Sequence, residues 1–126
     1  MVNAKGLTVL YDGGCSLCAR EIVHYRRLES LISIAWIDIT RDPDKLHTFG
    51  LDFPTVMAEF HVIDQDGRLY KGADGFLKLW SELPYYRYLS FFCRALALQG
   101  LMHRYYSRFA RWHFLRRCPD GVCSAP

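Results

Sequence analysis

The sequence predicts an α/β domain, a four-stranded mixed sheet flanked by helices with additional C-terminal helices, and three patterns carry that expectation. An apolar strand, a glycine turn, a helical repeat and a second apolar strand follow one another between Leu7 and Asp38, the order of a βαβ unit. Two strand-like runs then flank Gln65-Asp66-Gly67, which reads as a hairpin. Helical periodicity returns from Phe76 to Leu83 and again from Tyr85 to Arg117. With 126 residues, 51% hydrophobic and 23% charged, the chain has enough apolar material for one core and too little length for two.

Leu7-Thr8-Val9-Leu10-Tyr11 is the first strand, and Gly13-Gly14 gives it a sharp exit. From Cys15 onward, Ala19, Ile22, Val23, Leu28 and Leu31 recur at helical spacing with Arg20, Glu21, Arg26 and Arg27 between them, so about four turns of helix are expected. Ile34 to Asp38 forms the second strand, parallel to the first through a right-handed crossover. A short helix runs from Asp42 to Phe49, with Pro43 at a first helical position and Gly50 just past the end. Pro54 opens a helical turn through Met57. Glu59–Asp64 and Arg68–Lys71 pair as the antiparallel hairpin. Asp74 caps a helix carrying Phe76, Leu77, Leu79, Trp80 and Leu83 and ending at Pro84. The stretch from Tyr85 to Met102 is apolar on most of its circumference, and after Gly100 a basic amphipathic helix extends from His103 to Arg117. The expected organisation is a core over 1–84, a helical extension over 85–117 packed on the same domain, and a cysteine-containing tail over 118–126.

The chemistry is expected where the first strand meets the first helix. Cys15 falls at the helix N-terminus, where unpaired N–H groups and the positive end of the macrodipole favour a thiolate, and Cys18 follows one turn later on the same face. That placement suits dithiol/disulfide exchange, with Cys15 attacking a substrate disulfide and Cys18 resolving the mixed disulfide. A bare C-x-x-C also fits half of a zinc site or two ordinary helix cysteines. Asp12, three residues before Cys15, has two readings: a proton acceptor or tuner for the pair, or a cap for the turn.

Asp12-x-x-Cys15-x-x-Cys18, preceded by Tyr11 and a strand, resembles the signature of the DCC family of thiol-disulfide oxidoreductase-like proteins. Further matching stretches are Asp38 closing the second strand, His61-Val62-Ile63-Asp64-Gln65-Asp66-Gly67-Arg68-Leu69-Tyr70, Gly72-Ala73-Asp74-Gly75-Phe76, and Leu83-Pro84. The resemblance spans roughly residues 7 to 117 and departs at Gly75, where such sequences often carry Ala. It implies a thioredoxin-like fold and a disulfide oxidoreductase activity. Phe53-Pro54-Thr55 invites comparison with the cis-proline of thioredoxin-like proteins, yet twelve residues, about two strand lengths, separate Pro54 from Asp66. The equivalent place falls near Ala58 to Phe60, which holds no proline, so a trans peptide is expected there.

Four residues are auxiliary candidates. Asp38, at the end of the second strand, either lies near the cysteines or caps the turn Thr40-Arg41-Asp42-Pro43. His61 is either a proton shuttle for Cys15 or a half-buried strand residue. Cys118 and Cys123 bracket a Pro-Asp-Gly turn that would bring them close enough for a disulfide or half of a metal site; they read as free thiols in a tail, as a relay pair, or as such a half-site. Cys93 reads as a small buried hydrophobe.

Charge divides the chain. Nine Lys/Arg face twelve Asp/Glu up to Glu82, whereas Leu83 to Cys118 holds seven Arg, no Lys and no acid. The basic helices pack on the core, contact an anionic membrane surface, or dock an acidic partner; the first is the expectation, and no nucleic-acid module is recognisable. No signal peptide is visible, and an odd cysteine count without a regular framework fits a reducing, cytoplasmic setting. The expected function is thiol-disulfide oxidoreduction on a protein or low-molecular-weight disulfide, with neither cofactor nor metal. The rival is a redox-inactive or metal-holding module that docks a partner or membrane through its arginine-rich helices.

Overall fold

The computed structural model describes residues 6–30 and 32–118 of the chain. Strand β1 (Gly6–Tyr11) lies at the centre of one four-stranded sheet, between β2 (Ser33–Asp38) on one side and β3 (His61–Ile63) on the other, with β4 (Leu69–Lys71) outermost beside β3. β2 runs parallel to β1 with Val9 opposite Trp36, while β3 runs antiparallel with Val9 opposite Val62, and β3 and β4 form the expected hairpin. Helix α1 (Ser16–Arg27) makes the crossover between β1 and β2. This is an α/β, thioredoxin-like arrangement.

The period of two along β1 sorts the core into two layers. Leu7 and Val9 point with Val62 toward Ile22 and Tyr25 of α1, toward Leu79 of helix α3 (Ala73–Ser81) and toward Leu83 just beyond it. Leu10 and Ile63 point the other way, toward Leu46 of a 3-10 helix (Pro43–Phe49) and Val56 and Met57 of α2 (Phe53–Ala58). Each strand side chain therefore meets a different helix layer, and a one-residue slip would exchange the two sets.

Sequence and structure agree on the 3-10 segment, where Pro43 opens the helix and Gly50 closes it in the left-handed region at φ 68°. Pro54 likewise sits in the first turn of α2, capped by the Asp52 carboxylate on Thr55 N–H at 2.9 Å. The described peptide bonds are all trans.

Several boundaries differ from the reading of the sequence, and α1 closes at Arg27, before Leu28 and Leu31. β3 begins at His61 rather than Glu59. Helix α3 starts at Ala73 behind Gly72, so Asp74 lies inside the first turn instead of capping it, and its carboxylate meets His103 Nε2 at 3.2 Å. The C-terminal helices divide earlier than expected: α4 spans Tyr86–Ala95 and α5 spans Gln99–Arg117, so Gly100 lies within a helix. The stop is a backbone device. Ala97 adopts φ 54°, Leu98 N–H donates to Cys93 O at 2.8 Å, and Ala97 N–H donates to Arg94 O at 3.1 Å. That pair of bonds closes α4 as a Schellman motif, using Ala where Gly is usual. α4 packs on α3, and α5 crosses both α3 and α2, which carries its C-terminal turns to the end of β1. Among the described residues no helix is long and apolar enough to cross a membrane.

Candidate functional site

The site grows from the two-glycine turn after β1. Cys15 N–H donates to Asp12 O at 3.3 Å, closing the turn, and Ile39 N–H donates to Tyr11 O at 3.0 Å, tying the end of β1 to the end of β2. The Asp38 carboxylate occupies the angle between them: its Oδ1 accepts from Gly13 N–H at 3.0 Å, Thr40 N–H at 2.9 Å and Thr40 Oγ1 at 2.6 Å. A Cβ on residue 13 would collide with that carboxylate, and one on residue 14 would collide with the Arg117 guanidinium. Two charged groups thus close on the glycine pair from different elements, and at residue 13 the obstacle is a carboxylate held by its own hydrogen bonds.

Cys15 is the N-cap of α1, with extended backbone (φ −92°, ψ 118°), and its Sγ accepts the N–H of Cys18 at 3.4 Å. A sulfur so placed receives a donor that the first helical turn leaves unpaired. Both thiols are half-buried. Burial, the neighbouring Cys15 sulfur and the Asp12 charge all push the Cys18 thiol well above its ordinary range, so Cys18 keeps its proton in the resting reduced form.

Asp12 is buried, at 6% exposure; its Oδ1 caps the turn through Gly14 N–H at 2.9 Å, one of the two readings the sequence left open, while its Oδ2 bonds neither cysteine and reaches out of the turn altogether. Arg117 Nε donates to Oδ2 at 2.8 Å and His113 Nε2 lies 3.1 Å from the same oxygen. Burial alone would raise the Asp12 carboxyl, but the bonds from His113, Arg117 and Gly14 together with the guanidinium charge outweigh it and hold the group below the usual carboxylate range.

His113 and Arg117 were not singled out as site residues in the sequence, where they read as part of a basic amphipathic helix. The available signal was their spacing: four residues apart, they share one face of α5, and His113 is the histidine set among Phe109, Trp112 and Phe114. The result is a convergence. Cys15 Sγ, Cys18 Sγ and a ring nitrogen of His113 lie within 4.8 Å of one another.

The other candidates sit elsewhere. Asp38 bonds the two loops and pairs at 3.8 Å with the exposed Arg41, and none of its bonds goes to a cysteine. His61 is fully buried; its Nδ1 meets Glu59 O at 2.7 Å and its Nε2 has no partner, so neither nitrogen bonds a thiol. Burial depresses its basicity, against the raising influence of the Glu59 carbonyl, and keeps the ring neutral. Cys118 is buried in the layer of Leu10 and Met57 and is disulfide-bonded, which corrects the expectation of a free thiol in a loose tail. Cys123 lies outside the described residues. Cys93 is free and buried, as expected of a small hydrophobe.

Beside the thiols lies a cavity of about 360 Å³ to which Cys18, Asp12 and His113 contribute and which is otherwise walled by aromatic rings, among them Tyr25, Phe60, Phe76, Tyr106 and Phe109. Tyr106 locks its wall by accepting Phe60 N–H at 2.6 Å, and burial pushes its phenol up to about 12.

A family model described as DCC1-like thiol-disulfide oxidoreductase matches residues 9–116. An uncharacterized chloroplastic protein of Arabidopsis thaliana is 38% identical over 79 residues, which cover 61% of this chain and 37% of that relative. The chain therefore spans little more than a third of the length of the relative it matches. No solved structure matches it.

Proposed function

The chain belongs to the DCC1-like thiol-disulfide oxidoreductase family, and from that premise we propose that Cys15 and Cys18 form a working dithiol/disulfide couple. One observation carries the reading: Cys15 caps α1 with its sulfur bonded to the N–H of Cys18, so the two sulfurs share one helical turn. Cys15 supplies the thiolate that attacks one sulfur of a substrate disulfide; that S–S bond breaks and the leaving thiolate takes a proton. Cys18 then gives up its proton and attacks Cys15, closing the protein disulfide and releasing the second substrate thiol. The pair loses two electrons and the substrate gains them.

Asp12 is a positioning residue in this scheme. It fixes His113 beside the thiols, where the imidazole lies within 4.8 Å of the Cys18 sulfur and can take its proton, and its charge opposes early loss of that proton. His113 and Arg117, which both bond Asp12, come from α5, so the helical extension 85–117 belongs to the active unit together with the core 1–84. The substrates are protein or low-molecular-weight thiols and disulfides. A second reading, a module that docks a partner through the extension, draws support from the exposed Phe91, Phe92, Leu96 and Tyr105 on α4 and α5 and the arginines among them.

Thiol labelling of metal-free protein in graded glutathione buffers tests the first reading. A single two-electron transition is expected, lost in Cys15→Ser and in Cys18→Ser, and Cys18→Ser should accumulate mixed disulfides with its substrates. Absence of a reversible transition in the unmodified protein sinks the redox reading and leaves docking.

A further inference from the structure

The trio of Cys15, Cys18 and His113 has a second chemical capacity that disulfide exchange does not use. It is the cluster among the described residues in which three potential ligand atoms approach within 4.8 Å of one another. We propose that this trio is a site for a divalent borderline-soft cation, zinc first among them, which the reduced protein holds and the oxidised protein releases.

The donor set has the right character. Two thiolates and one imidazole are ligands that a tetrahedral d¹⁰ ion takes readily, and three protein donors leave the fourth position open. Metal–sulfur bonds of about 2.3 Å and metal–nitrogen bonds of about 2.0 Å place such donors roughly 3.5 to 3.8 Å apart. From a spread of 4.8 Å the trio has to close by about 1 Å, a movement within reach of side-chain rotation at the half-buried thiols.

Charge and the surrounding bonds favour the same ion. Two thiolates cancel a divalent charge, and the neighbouring Asp12 is already balanced by Arg117 at 2.8 Å, so the loaded site adds no net charge to a buried region. His113 Nε2 rests against Asp12 Oδ2 at 3.1 Å, the carboxylate–histidine pairing that orients a metal-bound imidazole when the metal takes the other ring nitrogen. Asp12 is buried and anchored from three sides, by Gly14, Arg117 and His113, so the His113 ring is held beside the thiols before an ion arrives.

Metal and disulfide then exclude each other. A disulfide R–S–S–R meeting the loaded form takes two electrons from the two thiolates. The Cys15–Cys18 S–S bond forms, the R–S–S–R bond breaks, two protons from water complete two R–SH, and the cation leaves because only His113 remains to hold it. The ion would therefore shield the dithiol until an oxidant of sufficient strength arrives.

Full-length protein, chelator-stripped and kept reduced with a phosphine, is titrated with Co²⁺ and then challenged with Zn²⁺. One equivalent of Co²⁺ should give sulfur-to-metal charge-transfer absorption and the intense visible bands of a tetrahedral ion, and one equivalent of Zn²⁺ should erase both. Cys15→Ser and Cys18→Ser should abolish the bands. His113→Ala, which removes a ligand, should weaken binding by at least about 100-fold, and Asp12→Asn by about 10-fold, within the range for outer-shell support. His113→Cys should stay tight with added charge-transfer intensity, which separates loss of a ligand from loss of the fold. The diamide-oxidised protein should bind none. Absence of one-to-one binding by the reduced protein, or His113→Ala and His113→Cys both binding like the parent with unchanged spectra, overturns the site. The glutathione titration of metal-free protein is read separately, so either idea can fail without the other.

Discussion

Asp12 Oδ2 and Arg117 Nε lie 2.8 Å apart although 105 residues separate them in the chain. That bond pins the last turn of α5 onto the βα junction that carries both cysteines, and it makes the chain's two differently charged regions parts of one site. Arg117→Ala would leave a carboxylate at 5% side-chain exposure without its strongest cation. Removing one partner of a fully buried pair costs roughly 3 to 5 kcal/mol, and the partial exposure of Arg117 reduces this to about 2 kcal/mol, readable as a lower urea midpoint.

The same carboxyl sets an acid limb. Its folded-state value lies below the ordinary 3.8, so its contribution is complete above that value and is lost as pH falls through the folded one. His113 and Arg117 face it from α5, and Cys18 faces it from α1. Stability of metal-free Asp12→Asn, followed by denaturation between pH 6 and pH 2, should be lower at neutral pH and fall less steeply with acid than that of the parent. Parallel curves for the two proteins would count against this role.

Gly13→Ala tests the other wall of the turn. Its Cβ would enter the volume of the Asp38 carboxylate, which must rotate away and surrender its bonds to Gly13 and Thr40. A loss of about 1 to 3 kcal/mol is expected. In a double-mutant cycle with Asp38→Ala the combined loss should fall short of the sum, because the second change removes the obstacle the first one meets. Strict additivity would place the cost of Gly13→Ala elsewhere.

Ala97→Gly should stabilise the protein. Ala97 closes α4 at φ 54°, a region where a Cβ costs roughly 1 kcal/mol, and the Schellman bonds of Ala97 and Leu98 do not depend on the side chain. Glycine's looser unfolded state offsets part of this, so a gain of about 0.5 kcal/mol is expected in chemical denaturation.

Ala97 also shows where the sequence stopped being informative. Its left-handed conformation has no local signature, and Gly100 offered a more conventional break that the helix instead passes through. The sheet was legible because Leu7, Val9, Leu10 and Val62 alternate with the strand period and Asp66-Gly67 marks the hairpin, all local signals. Cys15 and Cys18 were legible because capping is local too. His113 was not, since its role depends on α5 folding back across α2 and α3 to reach Asp12, a contact that no window of sequence contains. Asp12 itself showed its capping oxygen at Gly14 but not the second oxygen that faces α5.

Tyr106 ties α5 to the residue that leads into β3 and closes the cavity beside Cys18, and its hydroxyl oxygen is the acceptor for Phe60 N–H at 2.6 Å. Tyr106→Phe keeps the ring but leaves that half-buried amide without its acceptor, at a cost of about 1 kcal/mol. The phenol adds a pH signature. Burial raises it from 10 to about 12, so the folded protein holds this proton more tightly than the unfolded chain, and stability is lost as pH climbs from 10 toward 12. Tyr106→Phe should remove part of that alkaline decline, leaving the part due to Tyr25, whose phenol burial also raises. In the tyrosinate absorbance of the folded protein, one high-pH step should disappear with the substitution. If the step persists in full, the hydroxyl is open to solvent and the cavity wall is not held as the Phe60 bond implies.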